Sequence, residues 1–264
     1  MRKSTVTALC IIALALASCG RTSRGSAFQE YTVESKSTDS DRRIGVYTPD
    51  GYSPKNTYPV IYMEDGLVYT SGNYRHLMDS LIDNRIIKPL IMVCSYEDKS
   101  PIKGYNIARR NAEYVETIAS GDSVLQNIFD NHLNYLINEL IPFIEKNYSV
   151  SKERDGRTYY GTSNSADFGL TLSMMHPELM HEYWCFSPVF SDMSKYGMLD
   201  ESTSYQITWG AKEEAGMSFD YFPALMQSIR KRGGNVHSWA FDGGHDRDKW
   251  QEEFIKLLAE RFAL

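Results

Sequence analysis

Eight short stretches rich in β-branched and aromatic residues follow Phe28, and helical patterns separate the later ones. Those later stretches are continuous apolar runs rather than alternating ones, which is typical of parallel strands covered on both faces. The predicted strands are Glu30–Ser35, Arg43–Thr48, Val60–Met63, Leu90–Ser95, Thr158–Gly161, Tyr183–Phe186, Tyr205–Trp209 and Val236–Phe241. This pattern predicts one α/β domain over residues 28–264, with an eight-stranded, mostly parallel sheet and helices on both faces.

Helical periodicity fills the intervals between these strands. The predicted helices are Tyr74–Ile82, Val124–Asn147, Ala166–Met175, Tyr221–Arg232 and Asp248–Phe262. The long irregular stretch lies between Tyr96 and Asp122, and long loops in compact domains often bind ligands. We therefore expect this stretch to form part of the wall of a substrate pocket.

The segment from Arg157 to Gly169, RTYYGTSNSADFG, is typical of a β-strand that passes through a sharp turn into a helix. Small residues around Ser163 let the backbone turn tightly enough to raise one hydroxyl above the sheet, as in the GxSxG nucleophile elbow. Ser165 stands where that pattern has its second glycine. Serine is also a favoured helix N-cap, so the five residues alone leave both interpretations of Ser163 open.

A histidine and several carboxylates follow Ser163 in the order serine, acid, base that a triad on such a sheet requires. His245 follows a predicted strand and two glycines, and Glu213 follows another predicted strand and a glycine turn. These positions predict Ser163 as nucleophile, His245 as its general base and Glu213 as the acid that orients the imidazole. Three other carboxylates could take the role of the acid: Glu214, Asp220 and Asp192.

Six ordered segments resemble the α/β-hydrolase esterases that include enterochelin esterases, feruloyl esterases, S-formylglutathione hydrolase and the mycobacterial mycolyltransferases. The segments are RIGVYTPDGY (43–52), YPVIYMEDGL (58–67), RRNAEY (109–114), ELIPFIEKNY (139–148), the elbow, and GGH (243–245) followed by Trp250. The resemblance covers about Arg42 to the C-terminus. It implies the α/β-hydrolase fold and a serine carboxylic-ester hydrolase that works through an acyl-enzyme. In such families the acid follows a glycine by three positions, which favours Glu213 over Glu214.

An esterase of this kind also needs two N–H donors for the oxyanion of its tetrahedral intermediate. The backbone N–H of Asn164, at the start of the elbow helix, is in the position of one donor. The segment Asp65-Gly66-Leu67 resembles the mycolyltransferase segment whose leucine amide is the other donor, which implies Leu67. We expect Asp65 to brace this loop.

The N-terminus predicts export. A basic start is followed by an apolar run from Val6 to Ala17, which is too short for a permanent membrane span, and by the lipobox Leu16-Ala-Ser-Cys19. We expect residues 1–18 to be a bacterial lipoprotein signal peptide, Cys19 to be lipidated, and residues 19–27 to form a tether. The lipid would anchor the protein to a membrane of the cell envelope. A plain secretory signal cut elsewhere is the alternative.

Charge and residue spacing argue against several other classes of protein. The formal net charge of −6 gives no basic field for nucleic acid. The remaining histidines lack the spacing of metal ligands, so we expect no metal site, and no motif indicates a cofactor. Cys94 and Cys185 lie in apolar runs, which favours buried thiols over a disulfide.

The family resemblance leaves the substrate open. An exported, anchored esterase resembles a scavenger that removes ester-linked acyl groups from carbohydrates, and opening of a siderophore trilactone is the alternative. Acyl transfer to a sugar or lipid is a second alternative, and a lipoprotein that binds a glycan or siderophore without cleaving it is a third. Four tyrosines in segments expected around the pocket would suit a sugar ring or an aromatic acyl group: Tyr69, Tyr74, Tyr105 and Tyr114.

Overall fold

A computed structural model describes residues 25–71, 73–199, 201–213 and 220–264. Within these ranges the strands are β1 (Ala27–Ser35), β2 (Ser40–Thr48), β3 (Val60–Met63), β4 (Ile91–Ser95), β5 (Arg157–Thr162), β6 (Glu182–Phe186), β7 (Ser204–Gly210) and β8 (Asn235–Phe241). They form one sheet in the order β1-β2-β4-β3-β5-β6-β7-β8. β2 is antiparallel to both of its neighbours, and β3 to β8 are parallel. The predicted fold class is confirmed.

The helices in the described ranges are α1 (Gly66–Ser71), α2 (Tyr74–Asp83), α3 (Arg109–Tyr114), α4 (Glu116–Ala119), α5 (Ser123–Tyr135), α6 (Ile141–Asn147), α7 (Asn164–Met175), α8 (Tyr221–Lys231) and α9 (Arg247–Arg261). The predicted helix 124–147 is interrupted by a π-helical turn at Leu136–Leu140. Pro142 follows that turn and has no N–H to continue the helical ladder. The stretch 96–122 contains α3 and α4, which are too short to show periodicity in the sequence.

Successive side chains along the central strands enter two hydrophobic clusters on opposite faces of the sheet. Tyr159 points to the face covered by α5–α8, where its ring centre lies 6.2 Å from that of Phe168. Tyr160 points to the face covered by α2 and α9, where its ring centre lies 4.5 Å from that of Phe254. Both faces are therefore buried, which is why these strands read as continuous apolar runs.

Cys94 and Cys185 are free, buried thiols, as predicted, and they belong to the clusters on opposite faces. The predicted signal peptide 1–18 and Cys19 lie outside the described residues. β1 begins at Ala27, so the last residue of the predicted tether is already part of the sheet. No helix in the described ranges is long and apolar enough to cross a lipid bilayer.

The parallel strands all end at one edge of the sheet. β5 ends at Thr162, β7 at Gly210 and β8 at Phe241, so the residues that follow these strands meet at that edge. In open α/β sheets this is the edge at which ligands bind. The fold therefore gathers Ser163, the Glu213 turn and the His245 turn from three distant parts of the chain.

Candidate active site

Ser163 occupies the sharp turn between β5 and α7. Its backbone has φ 57° and ψ −127°, a conformation that costs a residue with a Cβ about 1–3 kcal/mol. The turn is tight because α7 begins directly above the end of β5. A Cβ on Gly161 would lie 2.3 Å from the carbonyl oxygen of Ser165, so only glycine fits there.

Ser165, which replaces the second glycine of the elbow pattern, is fully buried, and its hydroxyl has hydrogen-bond partners both in the turn and on Asp65. The Thr162 N–H donates to Ser165 Oγ at 2.9 Å, and that oxygen lies 2.8 Å from the Thr162 carbonyl and 2.9 Å from Asp65 Oδ2. The turn therefore accommodates a serine without an unpaired polar atom.

Three predicted residues form a continuous hydrogen-bonded chain. Ser163 Oγ lies 2.9 Å from His245 Nε2, and His245 Nδ1 lies 2.8 Å from Glu213 Oε2. The carboxylate favours the tautomer that carries the proton on Nδ1, which leaves Nε2 free to accept from the serine hydroxyl. The imidazole is 43 % exposed, so an entering substrate can reach it.

Glu213 is held on its other oxygen as well. Its Oε1 accepts from Ser187 Oγ at 2.6 Å and from the Gly210 N–H at 2.7 Å. Burial disfavours the charged carboxylate, but the hydrogen bonds from His245, Ser187 and Gly210 outweigh burial and lower the pKa of Glu213. Glu213 is therefore a carboxylate at neutral pH.

Ser187 and Trp250 support this carboxylate, and neither role was predicted from the sequence. Trp250 Nε1 donates to Ser187 Oγ at 2.9 Å, and the indole meets the His245 ring edge to face, with ring centres 4.6 Å apart. Ser187 follows β6 directly at the edge of the sheet where the site lies. That position is the sequence signal that could have identified it.

Three other carboxylates were alternatives to Glu213 as the acid that orients His245. Asp192 accepts the Ser194 N–H at 2.8 Å in a local turn, and Asp220 is an exposed residue directly before α8. Glu214 lies outside the described residues. Within the described ranges, Glu213 is the carboxylate that contacts His245.

The two predicted oxyanion donors lie on separate elements. Asn164 is the first residue of α7, where backbone N–H groups have no acceptor within the helix. Leu67 lies in the first turn of α1, and its N–H approaches Glu97 Oε2 at 3.4 Å. Glu97 in turn forms an ion pair with Lys99 at 2.7 Å. An anion bound at the Leu67 N–H would take the place of this carboxylate.

A cavity of about 400 Å³ opens over Ser163 and His245. The stretch 96–122 contributes Glu97, Lys99 and Arg110 to its wall, as the sequence predicted. The prediction for the four tyrosines is wrong, because none of them lines this cavity. Three are buried in the hydrophobic clusters, where the apolar rings pack, and the fourth hydrogen-bonds to Asp122.

Comparison with known proteins gives a family for the chain. The model of the family described as "Putative esterase" matches residues 35–221. The "Endo-1,4-beta-xylanase/feruloyl esterase" of Xylanibacter ruminicola is 29 % identical over 167 residues, which cover 59 % of this chain and 20 % of that protein. This chain thus aligns with about a fifth of that relative. The "Uncharacterized protein YjcH" of Bacillus subtilis is 26 % identical over 245 residues, which cover 86 % of this chain and 94 % of that protein.

Solved structures share the fold. A ferulic acid esterase from Anaeromyces mucronatus superposes with a TM-score of 0.67 and 18 % identity, over 89 % of this chain and 90 % of that one. The enterobactin esterase of Shigella flexneri superposes with a TM-score of 0.69 and 16 % identity, over 92 % of this chain and 60 % of that one. At such identities the likeness concerns the fold alone.

Proposed function

This chain belongs to the esterase family of that model, and we propose that it is a carboxylic ester hydrolase that works as a serine esterase through an acyl-enzyme. The observation that carries the mechanism is the chain from Ser163 through His245 to Glu213, with contacts of 2.9 and 2.8 Å. A serine hydroxyl is a weak nucleophile unless a base takes its proton during attack. These two contacts support His245 as that base and Glu213 as the acid that orients it.

In the first half-reaction, Ser163 Oγ attacks the ester carbonyl carbon while its proton passes to His245 Nε2. The imidazolium is stabilised by Glu213, whose lowered pKa keeps it charged. As the tetrahedral intermediate collapses, the bond from carbon to the alkoxy oxygen breaks, and His245 returns its proton to the leaving alcohol. The acyl group stays on Ser163.

In the second half-reaction, water replaces the alcohol. His245 takes a proton from the water, the hydroxide attacks the acyl carbon, and collapse releases the carboxylic acid as the proton returns to Ser163. The oxyanion of each intermediate is assigned to the N–H groups of Asn164 and Leu67. At Leu67 it takes the place now held by the Glu97 carboxylate.

For the substrate, we infer an acyl group ester-linked to a carbohydrate. The support is the relative from Xylanibacter ruminicola, whose name joins a xylanase with a feruloyl esterase. The cavity over Ser163, of about 400 Å³, is within the size range of small-molecule sites, which is enough for an acyl group. The enterobactin esterase shares only the fold, so a siderophore trilactone is the second substrate to test.

We also propose that the protein is exported and anchored in the bacterial cell envelope through a lipid on Cys19. The lipobox Leu16-Ala-Ser-Cys19 supports this location. The test is expression in a bacterium with labelled palmitate, followed by membrane fractionation. Wild type should be labelled and sediment with membranes, and Cys19→Ala should lose the label. A labelled Cys19→Ala protein would refute the anchor.

A fluorophosphonate probe tests the serine mechanism. Wild type should be labelled and Ser163→Ala should not, while Ser173→Ala, which removes a buried hydroxyl far along α7, should label as wild type does. A folded wild-type protein that resists the probe would favour a non-catalytic binding protein.

A substrate panel tests the acyl and alcohol groups. Acetylated and feruloylated oligosaccharides should be hydrolysed faster than a catecholate trilactone. Faster opening of the trilactone would replace the carbohydrate proposal, and formation of a new ester in the presence of a sugar acceptor would indicate acyl transfer.

A further inference from the structure

We propose that Asp65 is a positioning residue that fixes the oxyanion loop, residues 65–67, to the nucleophile elbow through Ser165 and to α3 through Arg110. This inference rests on the proposed function, because it concerns the two N–H groups assigned to the oxyanion. It gives a role to Ser165, the position at which the chain departs from the GxSxG pattern.

Asp65 is held from several sides at the start of the loop. It is 3 % exposed, and its φ of 62° lies in the left-handed region, which residues other than glycine rarely adopt. Arg110 Nε donates to its Oδ1, and Arg110 Nη2 donates to its Oδ2 at 2.6 Å. The same Oδ2 lies 2.9 Å from Ser165 Oγ. One carboxylate thus joins the loop, α3 and the first turn of α7.

Helix α3 also holds the residue before Asp65. The Tyr114 hydroxyl donates to Glu64 Oε2 at 3.0 Å, and the Asp65 N–H approaches the same hydroxyl at 3.5 Å. The Arg110 guanidinium lies 5.1 Å from the centre of the Tyr114 ring. The loop is therefore fixed on its α3 side by two neighbouring carboxylates, and Ser165 adds the link to the elbow.

The link to Ser165 bears on catalysis because the two donors belong to the two elements that it joins. Leu67 follows Asp65 by two residues, and Asn164 precedes Ser165 by one. Both N–H groups must point to one oxygen in the tetrahedral intermediate, and a displaced donor loses most of its effect there. The ester carbonyl of the bound substrate depends less on them. Loss of the link should therefore lower kcat and leave KM unchanged.

A purely structural role makes a different prediction. Ser165 Oγ also accepts a hydrogen bond from the Thr162 N–H. If its role were purely structural, removal of this hydroxyl would weaken the fold and have no separate effect on catalysis. Ser173 is the matched control, because it is another fully buried serine of α7 whose hydroxyl contacts the Leu170 carbonyl and the Tyr205 hydroxyl, away from the loop. A structural role would lower thermal stability in both variants without a selective effect on kcat.

The experiment compares Ser165→Ala with Ser173→Ala on a p-nitrophenyl ester. We expect Ser165→Ala to lower kcat about tenfold, less than the two to three orders of magnitude for loss of a whole donor, with KM within twofold of wild type. Binding of an alkyl boronic acid, whose tetrahedral adduct with Ser163 carries the oxyanion, should weaken by the same factor. Inhibition by the product acid should not change. Ser173→Ala should keep all three values.

If Ser165→Ala does not fold, Ser165→Gly, which restores the glycine of the elbow pattern, tests the same link. A kcat within twofold of wild type in a folded Ser165 variant would overturn the inference. Equal weakening of boronic acid binding and of inhibition by the product acid would also overturn it. In either case, fluorophosphonate labelling of wild-type Ser163 would show that the proposed function stands. Absence of that labelling would overturn both.

Discussion

Replacement of Glu213 by glutamine is the sharpest test of the site, because the structure dictates how the amide must turn. Oε1 of Glu213 receives two donors, one of which is the immobile N–H of Gly210, and Oε2 receives His245 Nδ1. A glutamine has one acceptor oxygen and one NH₂ donor group. The oxygen must remain at the position of Oε1, because the NH₂ group placed there would face the Gly210 N–H, which is also a donor. Its NH₂ group then faces His245.

The consequence is a change of tautomer. An NH₂ group facing Nδ1 requires Nδ1 to be an acceptor, so the imidazole proton moves to Nε2 and faces Ser163 Oγ. His245 can no longer accept the serine proton, and a carboxylate-to-amide change of this kind in a serine protease triad lowers kcat about 10⁴-fold. That factor corresponds to about 5.4 kcal/mol in activation free energy. We expect a loss of this order in Glu213→Gln.

The assay is kcat for a p-nitrophenyl ester at saturating substrate, with a thermal melt to verify folding. Glu214→Gln is the matched control, since it removes the same charge one residue away, and we expect it to keep activity within threefold of wild type. Retention of more than a tenth of wild-type kcat by Glu213→Gln would refute the argument from the tautomer. An equal or larger loss in Glu214→Gln would move the acid by one position.

Further predictions concern the nucleophile, the elbow and acid stability. Ser163→Ala and His245→Ala should each abolish ester hydrolysis and leave the thermal transition nearly unchanged, so wild-type turnover in either variant would remove that residue from the mechanism. Gly161→Ala should lower the free energy of unfolding by about 2 kcal/mol and Tm by roughly 4–8 °C, because its Cβ would meet backbone atoms at 2.3 Å. Gly197→Ala, where the Cβ meets nothing within 4 Å, should have little effect in the same melt. The pKa of Glu213 is lowered from its ordinary value of 4.5, so this carboxylate stabilises the folded state at pH values above 4.5. That stabilisation is lost as the pH falls through the folded-state pKa. Unfolding free energy measured from pH 6 to pH 3 should therefore fall more steeply in wild type than in Glu213→Gln, and parallel curves would contradict this.

The sequence by itself determined the layers of the fold and the order of the candidate catalytic residues along the chain. Strand positions were visible because a strand buried on both faces needs an uninterrupted apolar run, and Val60–Met63 was predicted to the residue. The elbow around Ser163 was visible because its small residues are local requirements of a tight turn. Parallel strands share one edge, so the turns bearing Glu213 and His245 could be expected to meet Ser163 there.

Only the tertiary structure decided which side chains support that site. Asp65 and Ser165 are separated by 100 residues, and Trp250 reaches Ser187 across 63, so no local pattern marks either contact. The short helix α3 gives too few residues for periodicity, although it anchors the oxyanion loop. Periodicity and turn chemistry depend on neighbours along the chain, whereas the partners of a buried polar group depend on how distant elements pack.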